Sequence, residues 1–121
     1  MFITDKMPPE KIMKEWEWKY GDDFGWHIIP SEKRETSFVN VLEQELKSDD
    51  PFLTNTVYSV FKCDMNDDVL FLSTDGKGSD IWRIYHLTYS SSYHEGFPKY
   101  KQFDSLRAAA IYMTEQYEIM K

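Results

Sequence analysis

The chain has 121 residues, of which 41% are hydrophobic, 17% aromatic and 29% charged; this excludes a disordered segment and allows one core without disulfide staples. A net charge of −7 opposes nonspecific binding to phosphate backbones, and a lone cysteine, Cys63, excludes an internal disulfide framework. No apolar run reaches the roughly 20 residues that span a bilayer. The opening MFITDKMPPEKIMKEW lacks a basic region followed by an apolar run, so the expectation is a single cytoplasmic domain over residues 1–121, with neither membrane nor nucleic acid as a partner.

Taken in chain order, Pro8-Pro9 suits the first turn of a helix. Ile12, Met13, Trp16 and Tyr20 then recur at helical spacing, which predicts a helix over Glu10–Tyr20 that Gly21-Asp22-Asp23 ends. Phe24 to Pro30 reads as a short extended piece closed by proline. Thr36 or Ser37 can cap a second helix, with Phe38, Val41 or Leu42, and Leu46 as its apolar stripe and Glu43, Gln44 and Lys47 facing water. Asp49-Asp50-Pro51 breaks it.

Three strands follow: Thr56–Cys63, Val69–Thr74 after the Asp64–Asp68 turn, and Ile81–Thr88 after a hairpin marked by Asp75-Gly76. All three carry apolar residues on both faces, so helices, the N-terminal segment or a partner must cover both sides of the sheet. Tyr89 to Lys101 is polar and reads as a loop, with a short edge strand expected near Lys101–Phe103. Asp104 or Ser105 caps a last helix whose buried face is Leu106, Ala109 or Ala110, Met113, Tyr117 and Met120. The fold class expected is α+β: an antiparallel meander of three to four strands packed by N-terminal helices and a C-terminal helix.

Several groups could carry chemistry. Alternation places Trp82, Ile84, His86 and Thr88 on one face of the third strand, and Ile81, Arg83, Tyr85 and Leu87 on the other. His86 then reads as a core histidine bonded to a carbonyl or carboxylate. Its functional alternative is a general base beside Ser90-Ser91-Ser92, but three serines without a neighbouring glycine do not make a nucleophile turn. His27, Cys63, His86 and His94 show no metal-ligand spacing, and the acidic turns Asp64–Asp68 and Asp75–Asp80 lack the pattern of a calcium loop. Gly76 and Gly78 sit in a hairpin, away from any helix start, so no nucleotide cradle and no cofactor is expected. Cys63, ending an apolar strand, reads as an inert buried thiol.

Trp16 and Trp18 point about 200° apart on a helix, so both cannot enter one core. An exposed tryptophan beside acids suits a binding patch. The candidate partner contacts are therefore Trp16 or Trp18, Glu15, Glu17, Asp22, Asp23, Asp49 and Asp50. A competing reading gathers His86, Thr88, Tyr89 and His94 around a small-molecule pocket at the end of the meander. A third completes the sheet with a second copy of the chain. The run Pro98-Lys-Tyr-Lys-Gln-Phe103 mixes cations and rings, but two lysines are too few for single-strand binding.

Five stretches occur in order between about Phe38 and Tyr117: Leu42-Glu-Gln-Glu-Leu46, Asp50-Pro-Phe-Leu53, Asn66-Asp-Asp-Val-Leu70, Tyr85-His-Leu-Thr-Tyr89 and Phe103-Asp-Ser-Leu106. This pattern resembles a group of small uncharacterised bacterial proteins with a His-Leu-Thr-Trp strand, a proline-containing loop and a final helix. Tyr89 stands at the group's usual tryptophan, and the N-terminal helix is unmatched. The resemblance implies a fold and a bacterial origin, and no activity, cofactor or catalytic residue. By analogy with other small acidic bacterial domains, it adds the expectation of an immunity protein, not an enzyme, that neutralises a basic toxin domain.

Overall fold

A computed structural model describes residues 3, 4 and 6–120, the side chain of residue 120 excepted. The order of elements is α1 (Pro9–Tyr20), β1 (Trp26–Ile28), α2 (Val39–Glu45), β2 (Thr56–Cys63), β3 (Asp68–Thr74), β4 (Asp80–His86), β5 (Lys99–Phe103) and α3 (Leu106–Met120). Short 3-10 turns lie at Gly21–Phe24, Ser31–Lys33 and Pro51–Leu53. The class is α+β, as the sequence predicts, but the sheet has five strands. Each pairs antiparallel with its chain neighbour in the order β1-β2-β3-β4-β5. The extended piece after α1 is the additional strand, with Trp26 opposite Cys63, and the expected edge strand begins two residues earlier, at Lys99. No helix among the described residues is long and apolar enough to cross a membrane.

Both faces of the sheet are covered. Ile12, Met13 and Trp16 of α1, with Ala109, Ala110 and Met113 of α3, bury Val60, Phe61, Leu70, Trp82 and Ile84 on one face. Val39, Leu42 and Leu46 bury Val57, Val69, Phe71, Tyr85 and Leu87 on the other, joined by Phe52. A bulge in β2 shifts the register between Ser59 and Phe61, so the consecutive residues Val60 and Phe61 both join the α1/α3 side. Strands of this composition read as continuous apolar runs, which hides such a slip from periodicity.

The start of α2 departs from expectation. Neither Thr36 nor Ser37 caps it; Phe38 stands at the N-cap in the left-handed region, φ 62°, with no side-chain bond. Ser37 is held elsewhere, because its carbonyl accepts from the buried Ser59 hydroxyl at 2.5 Å. The buried face of α2 is accordingly Val39, Leu42 and Glu45 rather than Phe38 and Val41, which are only partly buried. Strand β4 stops at His86, two residues short of Thr88: Leu87 N–H still bonds the Asp67 carbonyl in register, but Thr88 N–H turns away to the Glu45 side chain. In α3 the stripe runs through Ala109, Ala110 and Met113 as expected; the side chain of Met120 lies outside the described residues.

Trp16 is the best measure of the core. It is 0% exposed, packs 4.5 Å from the Phe24 ring and 5.1 Å from Phe61, and donates its indole N–H to Thr114 Oγ1 at 3.0 Å. Trp16→Ala should therefore lower stability by about 3–5 kcal/mol. Trp18→Ala, at a residue 85% exposed, should change it by no more than about 0.5 kcal/mol. Urea unfolding followed by fluorescence checks both, and equal losses would mean that Trp16 is not the residue facing the core.

Candidate functional site

The structure builds its best-formed site at the end of the sheet where β2 turns into β3. Gly21 closes α1 with φ 64°, and the 3-10 turn that follows carries Asp22 and Asp23. Gly25, φ 85°, then reverses the chain against the β2–β3 turn, and a Cβ there would lie 2.9 Å from Met65 Sδ. Its carbonyl accepts the Asp64 N–H at 2.7 Å. The acidic turn is clasped from both neighbouring strands: His27 Nε2 lies 2.6 Å from Asp64, and His86 Nδ1 lies 2.8 Å from Asp68. Lys62 Nζ donates to the Asn66 carbonyl at 2.6 Å and also reaches that of Cys63.

Between this turn, the 3-10 turn and α3 lies a cavity of about 240 Å³. Phe24, Trp26, Met65, Tyr112, Met113 and Tyr117 form its apolar walls. Asp23, Asn66, Asp68 and Gln116 are its polar groups, and among the described residues no cationic side chain lines it. Its volume is below the roughly 300–1,000 Å³ of small-molecule pockets. It has room for one long side chain of a partner. Cys63 also lines it, but burial pushes the thiol up, so it stays protonated and serves as apolar wall. On the other side of the 3-10 turn is a recess of about 190 Å³ whose lining includes Glu17, Asp22 and His27. The turn is thus a ridge with Asp22 facing one hollow and Asp23 the other.

The sequence-derived contacts divide. Asp22, Asp23 and Glu17 border these hollows, Glu15 is half-buried on α1, and Trp18 stands fully in solvent. Trp16 is excluded from any contact surface by its burial. Asp49 and Asp50 lie on the opposite side of the sheet, after α2, so the expected acids do not make one patch. Asp50 there caps the Pro51–Leu53 turn by accepting the Phe52 N–H at 2.9 Å.

The four residues of the pocket reading do not share a cavity. Thr88 and His94 line one open depression with Ser90, Glu95 and Phe97, and neither His86 nor Tyr89 belongs to its lining. His86 has the expected face and a carboxylate partner, but it is exposed and not a core residue, because it lies at the uncovered end of β4. Ser90 and Ser92 bond within their own loop. Among the described residues no three His, Cys, Asp or Glu side chains gather closely enough to hold a metal ion.

Glu45 is the polar residue that sequence reasoning missed. It is 2% exposed, and its carboxylate accepts from Thr88 N–H at 2.9 Å, Thr88 Oγ1–H at 2.6 Å and Tyr89 N–H at 3.1 Å. These bonds hold Tyr89 in the left-handed region, φ 57°, where a bulky residue costs about 1–2 kcal/mol. A helical glutamate beside Leu42 and Leu46 carries no mark in sequence that it turns inward. No family of known proteins, no curated protein and no solved structure matches the chain.

Glu45→Gln places an amide N–H₂ where three donors converge, and should lower stability by about 2 kcal/mol while speeding protease cleavage between residues 88 and 98. Cleavage at the native rate would show that the loop does not depend on this carboxylate.

Two phenols give a pH signature. Burial pushes the Tyr85 hydroxyl up to about 12, partly offset by the Arg83 guanidinium, which donates to it at 2.7 Å. Burial and the Glu118 carboxylate raise Tyr20 to about 12 as well. An unfolded tyrosine titrates near 10, so between about pH 10 and 12 the unfolded chain loses protons that the folded chain keeps. The stabilisation is full below pH 10 and disappears as pH rises towards 12. The melting temperature should fall across that interval, and less steeply in Tyr85→Phe. An identical slope in the variant would remove Tyr85 from the account.

Proposed function

We propose that the chain is a protein-interaction module that captures a basic protein surface, in its most concrete form an immunity protein that neutralises a basic toxin domain. The observation that carries this reading is the apolar cavity at the β2–β3 end, lined by Asp23 and Asp68 and, among the described residues, by no cation. A partner lysine or arginine fits this chemistry: its aliphatic stem lies on Met65 and the tyrosines, and its head meets the carboxylates. Asp22 and Glu17 on the far side of the ridge extend the negative field, which speeds encounter with a positive surface. Trp18 on the adjoining helix offers a ring of the kind that anchors interfaces.

The small-molecule reading is less well supported, since the best-enclosed cavity is undersized and the His86–His94 group is dispersed. The test uses tagged protein to capture partners from its native host, followed by affinity measurement with whatever co-elutes near one-to-one. Asp22→Lys/Asp23→Lys should weaken that affinity by about tenfold or more at low salt. Asp49→Lys, on the opposite side of the sheet, should leave it unchanged. Co-expression should also protect cells from the captured partner if it is a toxin. A partner indifferent to the Asp22/Asp23 reversal would sink the assignment to this surface.

A further inference from the structure

Four of the seven large hydrophobic residues exposed among the described residues lie in one stretch: Tyr89, Tyr93, Phe97 and Tyr100. They are far more concentrated than scattered surface apolars require. A cation accompanies three of these rings: Lys47 Nζ 5.3 Å from Tyr93, Lys99 Nζ 5.0 Å from Phe97, and Arg83 4.2 Å from Tyr100. On the α3 side, Lys101 Nζ lies 4.9 Å from Tyr112. This basic and aromatic strip stands on a chain of net charge −7. It borders an open edge, because β5 pairs only with β4 among the described residues, and Lys99 to Gln102 are all exposed. Glu45 fixes the start of the loop that carries the rings, so the surface is preorganised.

We propose that β5 accepts an extended acidic segment of a partner protein as a sixth strand, independently of the acidic end described above. Main-chain bonds to the open edge would supply affinity, and side-chain alternation the specificity. Tyr100 and Gln102 face the Arg83 side of the sheet, where a groove runs past Tyr93, Phe97 and Pro98. Lys101 faces α3, whereas the Lys99 ammonium lies over Phe97 and Lys99 lines the groove. The occupant is therefore a strand alternating carboxylates, towards Lys101, with aromatic residues, towards the groove that Lys99 also lines. Of the carboxylates nearby, Asp50 borders the groove but is engaged with the Phe52 N–H, Glu45 is engaged with Thr88 and Tyr89, Glu95 lies in the loop, and Asp104 follows the end of β5. A second copy suits the edge poorly, since two β5 strands would align four lysines along one seam. Single-stranded nucleic acid matches the rings but opposes its dense phosphates to the net charge.

The test mixes the full chain with a short synthetic peptide alternating glutamate and tyrosine, and follows amide exchange by NMR. Comparison ligands are a lysine–tyrosine peptide, an N-methylated form of the glutamate peptide and a deoxythymidine oligomer. The expected result is protection confined to β5, binding by the glutamate peptide alone, and an affinity loss of about tenfold in Lys99→Glu/Lys101→Glu with an unchanged melting temperature. Because both lysines are exposed and the N-methylated peptide probes the same ladder in the native chain, a misfolded variant cannot obscure the outcome. The proposal fails if β5 gains no protection, if the lysine peptide, the methylated peptide or the oligomer binds equally well, or if β5 is already paired with a second copy.

Discussion

Strands β2, β3 and β4 carry apolar side chains on both faces, and this constraint decides where the other elements can lie. A sheet with Leu70, Trp82 and Ile84 on one side and Val69, Phe71 and Tyr85 on the other cannot leave either face in water. Helices α1 and α3 take one side and α2 the other. With both faces covered, what remains is the ends of the sheet and its two edge strands, β1 and β5. Both surfaces singled out above are such places. There the scaffold leaves side chains exposed, in company the core does not dictate.

The acidic end and the basic strip follow one rule with opposite signs. At the β2–β3 end, chain reversals at Gly21 and Gly25 bring carboxylates from separate segments around apolar walls. At β5, cations stack on rings instead, and Arg83 is shared among Gln102, Tyr85 and Tyr100. Segregating charge in this way limits mutual neutralisation within the chain and leaves each surface able to select a partner by sign. The clasp of His27 and His86 on Asp64 and Asp68 has a different consequence: it restrains the acidic turn, so less side-chain freedom is lost when a partner arrives.

Much of the fold was legible in particular residues. Alternation assigned Trp82 and Ile84 to one face and Ile81, Tyr85 and Leu87 to the other, and the structure puts them there. The 200° between Trp16 and Trp18 separated the core ring from the exposed one. Strand β1 was harder, because three residues carry little periodicity, and its pairing with β2 is a long-range event. The cap of α2 failed for a similar reason: Ser37 is a good capping residue locally, but Ser59, 22 residues away, competes for its backbone.

The site was less legible than the fold because its parts are joined only in space. Asp23, the Met65–Asp68 turn and Tyr117 come from three separate segments, and no spacing in the chain relates those segments. Asp22-Asp23 and Asp49-Asp50 look alike in sequence, yet one pair lies on the ridge between two hollows and the other begins a turn behind the sheet. Glu45 is the opposite case. Read along the chain it is one of two glutamates in Leu42-Glu-Gln-Glu-Leu46, and Glu43 is the solvated one. What separates them is that only Glu45 faces the backbone donors of Thr88 and Tyr89. A buried carboxylate persists only where such donors meet it. Its burial therefore argues that the loop leading to β5 has a fixed conformation, which an edge that merely avoids aggregation would not require.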